Sequence, residues 1–394
     1  MKASWITIRA EDFIYFNPRL NLKKGVIAPK VTMDKLQPFT KKIYETELMK
    51  FTSGTKFSNG DTIMARITPC LENGKTAFVD ILDEGEVACG STEFIVLRAR
   101  EKISDPQFIY YLAISSEFRN VAIQSMVGSS GRQRVQQSVL NEIELTVPSL
   151  EEQQLIGKFL ARLDEKIQLN QKINDNLEQQ AHTFFQALFI DNADPEWAIG
   201  TISDLGTVVG GSTPSKSKPE YYTETGIAWI TPKDLSINKS KFISHGENDI
   251  TELGLKNSSA TLMPEGTVLF SSRAPIGYIA IAAGETTTNQ GFKSIVPKPE
   301  IGTAFVYYFL KHNLSIIEGM ASGSTFKEVS GSTMKRVPAV IPDAETLARF
   351  NDFCAPIFSQ QKMLEEQNQS LSALRDNLLP KLMSGEIDVS AIQL

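Results

Sequence analysis

The sequence is poor in the residues from which most catalytic and metal sites are built. It contains three cysteines and three histidines in 394 residues. His182, His245 and His312 stand far apart, and neither H-E-x-x-H nor C-x-x-C occurs, which excludes the common zinc signatures. An odd number of scattered cysteines is typical of a reducing compartment, so we expect a cytoplasmic protein without a metal.

Long apolar runs and nucleotide-binding signatures are also missing. No stretch of 18 apolar residues occurs, so we expect no membrane span, and the first residues lack the apolar core of a secretory signal. Gly74-Lys75-Thr76 lacks the preceding glycine of a phosphate loop, because Pro69 occupies that position. Gly210-Gly211 lacks the spacing of a dinucleotide fingerprint, and no N-P-P-[YF] amino-methylation signature occurs. We therefore expect no catalytic residue and no cofactor in this chain.

The most regular stretch of the sequence is 151–189. It contains no proline and a single glycine, and apolar residues alternate at spacings of four and three. This heptad pattern predicts a helix that needs a partner to cover its apolar face. At 1.5 Å per residue the predicted helix spans roughly 58 Å.

The partner of this helix is predicted near the C-terminus. Apolar residues recur there every seven positions, and subtracting 194 from each position returns the register of the first helix. The second helix must run back from the second block to pack along the first, so we expect an antiparallel pair. Pro356 predicts that this second helix proper begins near residue 356, with a short helix before it.

The predicted contact line between the two helices contains asparagines as well as apolar residues. Asparagine within a coiled-coil interface lowers stability and fixes register and orientation. The predicted seam residues are Ile156, Leu160, Leu163, Ile167, Asn170, Asn174, Leu177, Phe184, Phe350, Ile357, Leu364, Asn368, Leu371 and Leu378.

A globular block precedes each predicted helix, and the two blocks resemble each other. Matching features include Trp5 with Trp197, the aromatic runs 108–111 and 305–308, and the glycine–serine pairs 128–129 and 323–324. Such self-similarity predicts an α+β protein with two similar α/β blocks, separated by a long antiparallel two-helix coiled coil and related by pseudo-two-fold repetition. The expected boundaries are 1–150 for block 1, 151–190 for helix one, 191–342 for block 2, 343–385 for helix two and 386–394 for a tail.

Charge is unevenly distributed along the chain. The net charge is −6, yet residues 1–150 carry +2 and residues 197–342 carry +1, whereas 151–196 carry −5 and 343–394 carry −4. A polyanion is therefore contacted more readily by the blocks than by the helices. Acidic solvated helices are common in any case, so charge alone leaves both interpretations open.

The blocks contain polar loop residues of the kinds that contact nucleic acids. Arginine binds guanine and asparagine or glutamine binds adenine in the major groove, whereas lysine, serine and threonine more often hold phosphates. Each residue taken singly is more often an ordinary exposed turn residue, and the argument rests on the concentration of donors in G-S-S-G-R-Q-R (128–134). The candidate DNA-binding residues are Lys56, Asn59, Arg66, Asn73, Lys75, Arg132, Gln133, Arg134, Ser212, Thr213, Lys216, Lys233, Ser271, Ser272, Arg273, Asn289, Gln290 and Lys327.

Several long segments resemble the specificity subunits of type I restriction–modification systems. They are FSNGDTIMARITPCLENGK, GSTEFIVLR, GSSGRQRV and PSLEEQQLI in the first half, and GGSTPS, WITPKDL, PEGTVLFSSRAPIGYIAIA, TTNQGFKSIVPK and KLMSGEI in the second. One departure is the entry to helix two, PDAETLARF, which lacks the pair Glu152-Gln153 of helix one.

The resemblance implies a function and a set of partners. Each block would be a target-recognition domain that reads one half of a split double-stranded DNA site. The helices would dock two modification subunits, which carry S-adenosylmethionine and methylate adenine, and a motor–nuclease restriction subunit would join them. The chain itself would hold no cofactor.

Two other classes of function remain open from the residues alone. One is a coiled-coil adaptor whose two blocks bind proteins, and the other is an enzyme that acts alone on DNA. Gel shifts with the partner subunit present discriminate the first, since an adaptor shows no sequence-dependent DNA binding. Incubation of the pure chain with DNA and S-adenosylmethionine tests the second.

Overall fold

A computed structural model describes residues 5–323 and 327–389 of the chain. The chain divides into two compact units. Unit 1 comprises Met1–Gln168 with Gln369–Leu394, and unit 2 comprises Leu169–Asn368. Ser324 of the predicted repeat and residues 390–394 of the predicted tail lie outside the described residues.

Unit 1 combines short strands with short helices before the first long helix. Its strands are β1 (Ile6–Arg9), β2 (Ile14–Phe16), β3 (Ile27–Val31), β4 (Glu47–Lys50), β5 (Thr55–Phe57), β6 (Thr62–Ala65), β7 (Thr76–Phe78), β8 (Ala88–Gly90), β9 (Phe94–Ala99) and β10 (Glu144–Val147). Its helices are α1 (Ala10–Phe13), α2 (Pro106–Ile114), α3 (Ser116–Gln124), α4 (Gln137–Asn141) and α5 (Leu150–Gln186), of which α5 continues into unit 2.

Two four-stranded sheets form the body of unit 1, in the orders β2-β9-β6-β7 and β4-β3-β8-β5. A separate antiparallel pair, β1 with β10, leads into α5. The segment 106–124 forms two helices, because the Ser115 side chain caps α3 at the Phe118 N–H. Asp105 caps α2 in the same way and Pro106 occupies its first turn, where the missing N–H has no cost.

Unit 2 repeats this plan. Its strands are β11 (Ala198–Thr201), β12 (Gly206–Gly210), β13 (Tyr222–Thr223), β14 (Ala228–Ile230), β15 (Phe242–Ile243), β16 (Asp249–Ile250), β17 (Val268–Ser272), β18 (Ile276–Ala282), β19 (Thr286–Thr288), β20 (Lys293–Pro297) and β21 (Pro338–Ile341). Its helices are α6 (Ile202–Leu205), α7 (Pro232–Ile237), α8 (Glu252–Lys256), α9 (Thr303–His312), α10 (Leu314–Gly319), α11 (Gly331–Lys335) and α12 (Ala344–Met383), of which α12 continues into unit 1.

Part of the strand pairing is the same in both units. The antiparallel pair β11–β21 corresponds to β1–β10, and the parallel pair β14–β19 corresponds to the parallel contact of β3 with β8. A five-stranded sheet in the order β12-β20-β17-β18-β15 contains the counterparts of β9, β6 and β7. The predicted α+β class and internal repeat are confirmed.

Each unit has its own core, built around equivalent aromatic helices. In unit 1, Phe108 and Tyr111 of α2 are fully buried beside Leu160 of α5. In unit 2, Phe305 and Tyr308 of α9 are buried in the same way. Phe57 and Phe292, which lie beside candidate loop residues, are 0% exposed and belong to the core.

The two long helices are continuous. The helix α5 ends in a π-helical turn over Ala187–Asp191. The prediction that helix two begins near Pro356 is wrong, because α12 runs unbroken from Ala344. Residues Phe350, Cys354 and Ile357 form one buried stripe across the proline. Packing of this stripe offsets the cost of a proline within a helix, which is about 3 kcal/mol.

The long helices pack antiparallel within each unit. In unit 1, Asp164 of α5 contacts Arg375 of α12. In unit 2, Asn170 contacts Asn368, and Phe184 lies 6.0 Å from Phe350, so positions rise along α5 as they fall along α12. Within the described part of the chain, no helix combines the length and apolar character that a bilayer crossing requires.

Candidate functional site

The site in unit 2 is a cleft at the carboxyl end of the parallel pair β14–β19. Parallel strands end at the same edge of a sheet, so the residues that follow them meet there. Thr231 follows β14 and Asn289 follows β19, and the Asn289 N–H donates to the Ile230 carbonyl at 3.0 Å. The loop after β12 closes the same edge, since the Ser212 N–H donates to the Thr288 carbonyl at 2.9 Å.

The cleft has a volume of about 560 Å³ and is open to solvent. Its lining residues come from four segments that are distant in sequence. They are Thr213, Lys216, Tyr222, Trp229, Thr231, Lys233, Asp234, Glu247, Asn248, Asn289 and Gln290. The structure thus brings together Thr213, Lys216, Lys233, Asn289 and Gln290, which the sequence nominated from separate loops.

Internal contacts hold the walls of this cleft. The Trp229 indole N–H donates to the Ser212 carbonyl at 2.9 Å, and its ring packs edge-on against Tyr222 at 5.7 Å. The Thr213 hydroxyl donates to the Gln290 side-chain oxygen. Lys233 pairs with Glu247 at 2.5 Å, and this carboxylate raises the pKa of the Lys233 ammonium. The cleft therefore offers hydroxyl, amide and ammonium groups on a rigid frame.

In unit 1 the edge that corresponds to this cleft lies beyond the parallel strands β3 and β8. The predicted donors of unit 1 are concentrated elsewhere, in the loop 128–134 and its neighbours. The Gln133 carbonyl accepts from the Thr68 N–H at 3.0 Å, and the Arg66 carbonyl accepts from the Val135 N–H at 2.8 Å. Arg134 forms a two-pronged ion pair with Glu93, which lowers the pKa of that carboxyl. The structure therefore brings Arg66 and Arg134 together beside Glu93, while Gln133 precedes Arg134 in the same loop.

Arg132 differs from its neighbours in this loop. Its side chain is exposed, and its backbone N–H closes a turn to the Ser129 carbonyl at 3.0 Å. Gly128 keeps the loop tight with φ of +136°, and a side chain there would lie 3.0 Å from the Arg132 carbonyl oxygen. The geometry thus presents the Arg132 guanidinium outward from a constrained backbone.

The unit 2 counterpart of this loop includes positions 324–326, which lie outside the described residues. On either side of them, Ser322 and Glu328 exchange backbone hydrogen bonds at 3.1 and 2.9 Å. Arg273 and Lys293 both lie within ion-pair distance of Glu328, at 3.4 and 3.6 Å. Lys327 is exposed beside them.

Not every predicted site residue lies on an exposed loop. Ser271 and Ser272 are in β17 and are 0% exposed. Their hydroxyls donate to the carbonyls of Pro275 and Gly291, at 2.8 and 3.1 Å. Expecting them to be loop donors was wrong, because their chain segment continues as a central strand.

Other candidates in block 1 use their side chains within the fold. Lys56 donates to the Leu20 carbonyl at 3.1 Å, and Lys75 donates to the Met33 carbonyl at 2.8 Å. The Asn59 side chain bonds to both backbone groups of Leu82, at 2.7 and 3.1 Å. Asn73 is exposed in the turn between β6 and β7, next to Gly74.

Sequence reasoning missed two features of these sites. Lys35 pairs with Glu45 at 2.5 Å, just beyond the end of β3, as Lys233 pairs with Glu247 beyond β14. Trp229 and Tyr222 form the apolar wall of the unit 2 cleft. The Lys–Glu pair is common to both units, and it becomes visible only when the parallel strands of the two units are aligned.

All fourteen predicted seam residues are buried or half-buried. Six are buried, namely Ile156, Leu160, Asn170, Phe350, Ile357 and Leu364. The others are half-buried, namely Leu163, Ile167, Asn174, Leu177, Phe184, Asn368, Leu371 and Leu378. The Asn170 amide donates to the side-chain oxygens of Gln367 and Asn368, at 2.7 and 2.9 Å, which forms a polar layer within unit 2.

The entry of each long helix explains the sequence departure noted above. Gln153 is 1% exposed, and its amide bonds to the backbone of Ile103, Asp105 and Pro148. The equivalent residue of α12 is Leu347, which is 3% exposed in an apolar core. A hydrogen-bonded glutamine in unit 1 is thus replaced by an apolar leucine in unit 2.

Comparison with known families identifies this architecture. The chain matches the type I restriction modification DNA specificity domain over residues 11–179 and again over 195–373. It belongs to that family. The two matches cover the two repeats, so each unit of the specificity-domain protein contains most of one copy.

Relatives of this family member are found in archaea and bacteria. The MjaIX specificity subunit of Methanocaldococcus jannaschii is 40% identical over 193 residues, which is 47% of this chain and 44% of that protein. The HindI specificity subunit of Haemophilus influenzae is 25% identical and aligns over 83% of this chain and 86% of its own length. The chain thus spans under half of the first relative and most of the second.

A solved structure has the same fold. The type I restriction-modification system S subunit from M. genitalium superimposes with a TM-score of 0.60 at 17% identity, over 96% of each chain. Among the described residues, no group of three or more histidine, cysteine, aspartate or glutamate side chains is placed to hold a metal ion.

Proposed function

We propose that this chain is the DNA-reading subunit of a type I restriction–modification complex, in which each unit reads one half of a bipartite site. The observation that carries this proposal is the unit 2 cleft. Side chains from separate loops converge there on a scaffold that the chain repeats in unit 1. Family membership supplies the substrate class, and the geometry supplies the candidate contacts.

The contacts divide between bases and phosphates by chemistry. Asn289 and Gln290 in unit 2, and Arg132 and Gln133 in unit 1, have the amide and guanidinium groups that bind base edges. Lys216 and Lys327 are exposed ammonium groups that suit phosphates. Lys233 and Arg134 already have carboxylate partners, so their contribution to DNA affinity is smaller.

The remaining partners follow from the same assignment. The long helices would dock two modification subunits that carry S-adenosylmethionine, and restriction subunits would join the complex in the cytoplasm. The chain itself would recognise DNA without catalysing a reaction. A non-catalytic adaptor that binds proteins through both blocks is the competing function, and it predicts no dependence on DNA sequence.

Exchange of one block tests the proposal. Residues 197–342 are replaced by the corresponding block of another family member, and the methylated sequence is determined with the partner subunits present. We expect one half of the recognised sequence to change and the other to stay. A change in both halves, or no sequence dependence, contradicts the proposal.

We further propose that the helices set the distance between the half-sites. A span of roughly 58 Å corresponds to at most about 17 base pairs at 3.4 Å each. One heptad added to each helix at facing positions lengthens the pair by about 10 Å, close to three base pairs. Because about three base pairs also rotate the duplex by roughly 100°, the new spacer can settle at two or four added pairs. An unchanged spacer in a folded, DNA-binding variant contradicts this role.

A further inference from the structure

Each unit buries one lysine between its block and the long helices. Lys41 is 8% exposed and Lys241 is 7% exposed. The Lys41 carbonyl accepts from the Phe78 N–H at 2.8 Å, and the Lys241 carbonyl accepts from the Ile281 N–H at 2.7 Å. Since Phe78 and Ile281 lie on corresponding strands, the two lysines occupy the same position in the repeated fold.

In unit 1 this lysine starts a chain of polar contacts that reaches both helices. The Lys41 ammonium donates to the Gln107 side-chain oxygen at 2.5 Å and to the Tyr111 hydroxyl at 3.2 Å. The Tyr111 hydroxyl donates to Asp164 of α5 at 2.5 Å. The other oxygen of Asp164 accepts from Arg375 of α12 at 2.6 Å.

In unit 2 the same connection is made by different partners. The Lys241 ammonium donates to Gln361 of α12 at 2.7 Å and to the Tyr308 hydroxyl at 3.2 Å, and it forms an ion pair with Glu178 of α5. The Tyr308 hydroxyl donates to Glu178 at 2.8 Å. Both units therefore join a lysine, a tyrosine and a carboxylate into one buried network.

The carboxylates of the two networks do not correspond in sequence. With the 194-residue offset of the helices, Asp164 aligns with Phe358 and Glu178 aligns with Ser372. The lysine and tyrosine are thus retained in both copies, while the acid comes from a different helix position. A buried ion pair adds little stability compared with apolar packing, and in some proteins it fixes one geometry.

A short segment leads from each buried lysine to the carboxyl end of the parallel strands, which in unit 2 is the edge of the cleft. After Lys241 the chain passes through β15 to Glu247, which lines the unit 2 cleft and pairs with Lys233. After Lys41 it reaches Glu45, which pairs with Lys35 beyond β3. The helices and this end of the parallel strands are therefore connected through a few residues in each unit.

We propose that Lys41 and Lys241 are positioning residues that hold each reading site at a fixed place on the long helices. Recognition then depends sharply on the number of base pairs between the two half-sites. This inference rests on the proposed function, because it concerns the same DNA site. The lysines touch no DNA themselves and act through the segments 41–45 and 241–247.

Lys41→Met and Lys241→Met test the inference, since methionine keeps the length of the side chain and removes the ammonium. Each full-length variant is assembled with its modification subunits and given DNA in which the two wild-type half-sites are separated by different spacers. We expect methylation at spacers one base pair longer or shorter to rise about fivefold or more relative to the wild-type spacer. The half-site sequences stay the same. Lys42→Met and Lys239→Met, at neighbouring less buried lysines, serve as matched controls with wild-type discrimination.

Tyr111→Phe and Tyr308→Phe provide milder variants in case a methionine variant does not fold. They keep the buried ring and remove only the hydroxyl between lysine and carboxylate. We therefore expect spacer discrimination to be relaxed less than in the methionine variants. A simple loss of stability lowers methylation at every spacer equally and does not relax the discrimination. Wild-type spacer discrimination in the folded variants overturns the inference. Absence of a bipartite, spacer-dependent target in the wild type would instead overturn the proposed function.

Discussion

Both units pack an aromatic helix of the block against a long helix, but the residues at this contact are exchanged between the units. Where the first aromatic helix meets α5 in unit 1, Gly157 on the long helix leaves room for Asp105. At the equivalent contact in unit 2 the long helix has Asn351 and the block has Gly302. The small and the polar residue have changed sides, so the contact depends on the sum of the two volumes and not on either residue alone.

The comparison of the two units distinguishes the features that both share from the features that differ. The aromatic helices, the parallel strand pair and the buried lysines recur in both units. The partners of those lysines and the reading loops differ. A block can therefore change its loops while its attachment to the helices is preserved, which suits a protein that reads two different half-sites.

The largest expected effect comes from a charge placed in the helix contact of one unit. Leu160 is 0% exposed in the core of unit 1. Leu160→Asp leaves an unpaired buried carboxylate, which costs several kcal/mol, on the order of 3–5. Unit 1 should unfold at a lower temperature in calorimetry and the complex with partner subunits should be lost. Leu163→Asp, at a half-buried seam position, should cost less, and equal effects would contradict the assigned helix faces.

The next largest effect is expected from a loss of packing in unit 2. Phe185 is 1% exposed and its ring contacts those of Phe305, Tyr308 and Phe350. Phe185→Ala should lower the free energy of unfolding of unit 2 by about 3–5 kcal/mol. Phe184→Ala, at the half-buried neighbour, is the control in chemical denaturation. A larger effect at Phe184 would show that the buried face of α5 is misassigned.

The exchanged glycines allow a sharper comparison at intermediate size. A side chain at Gly157 would lie 2.9 Å from an Asp105 carboxylate oxygen and 3.0 Å from the Phe108 nitrogen. Gly157→Ala should therefore destabilise unit 1 by about 1–3 kcal/mol. Asn351→Ala removes a hydrogen bond to the Ile301 carbonyl without adding a clash, and serves as the counterpart in unit 2. Stabilisation by Gly157→Ala would refute the packing account.

The burial of Lys41 predicts how the free energy of unfolding depends on pH. Burial lowers the pKa of Lys41 to about 8, against the attraction of Asp164, Asp80, Glu165 and Asp105. Between pH 8 and the ordinary value of 10.5, the unfolded chain binds more protons than the folded chain. The contribution of Lys41 to the free energy of unfolding therefore rises with pH over this range.

Lys41→Met removes this contribution. The difference in unfolding free energy, wild type minus variant, should grow by at most about 3 kcal/mol between pH 8 and pH 10.5 in urea titrations. The groups around Lys41 are the Gln107 side chain, the Tyr111 hydroxyl and the carboxylates of Asp164, Asp80, Glu165 and Asp105, and all of them are present in both proteins. Lys42→Met is the control and should show a constant difference. A difference that shrinks as the pH rises would reverse the sign and contradict the burial argument.

The smallest expected effects concern single loop contacts. Arg132→Ala should weaken binding of the target by about 1–3 kcal/mol if the guanidinium contacts a base. Arg134→Ala should have less effect on affinity, because Arg134 is paired with Glu93. Affinities of both variants, measured on target and non-target DNA at one salt concentration, separate base from phosphate contacts. Wild-type affinity in Arg132→Ala removes that residue from the site.

Much of the architecture could be predicted from the sequence because it depends on periodicity. The heptad spacing along 151–189 and the constant offset of 194 predicted two long helices and a repeat. The continuity of α12 through Pro356 could not be predicted, since it depends on the tertiary packing of Phe350, Cys354 and Ile357. Local propensity favoured a break there, and burial outweighed it.

The candidate site was harder to predict for a physical reason. Polar residues in turns are numerous, and the sequence does not show which of them share an edge of a sheet. Thr213, Lys233 and Gln290 are brought together only by the parallel pairing of β14 with β19. Ser271 and Ser272 were misassigned because the residue type alone does not distinguish a serine in a buried strand from a serine in a loop.

The central claim is that each unit reads one half of a divided DNA site. Its most direct test disables only the unit 2 cleft, with Thr213→Ala, Asn289→Ala and Gln290→Ala combined in the full-length chain. The methylated sequences are then determined across the genome of cells that carry the complete system. The account predicts a bipartite sequence in the wild type and relaxation of one half in the variant, with the other half unchanged. Relaxation of both halves, or a single undivided sequence in the wild type, would contradict it.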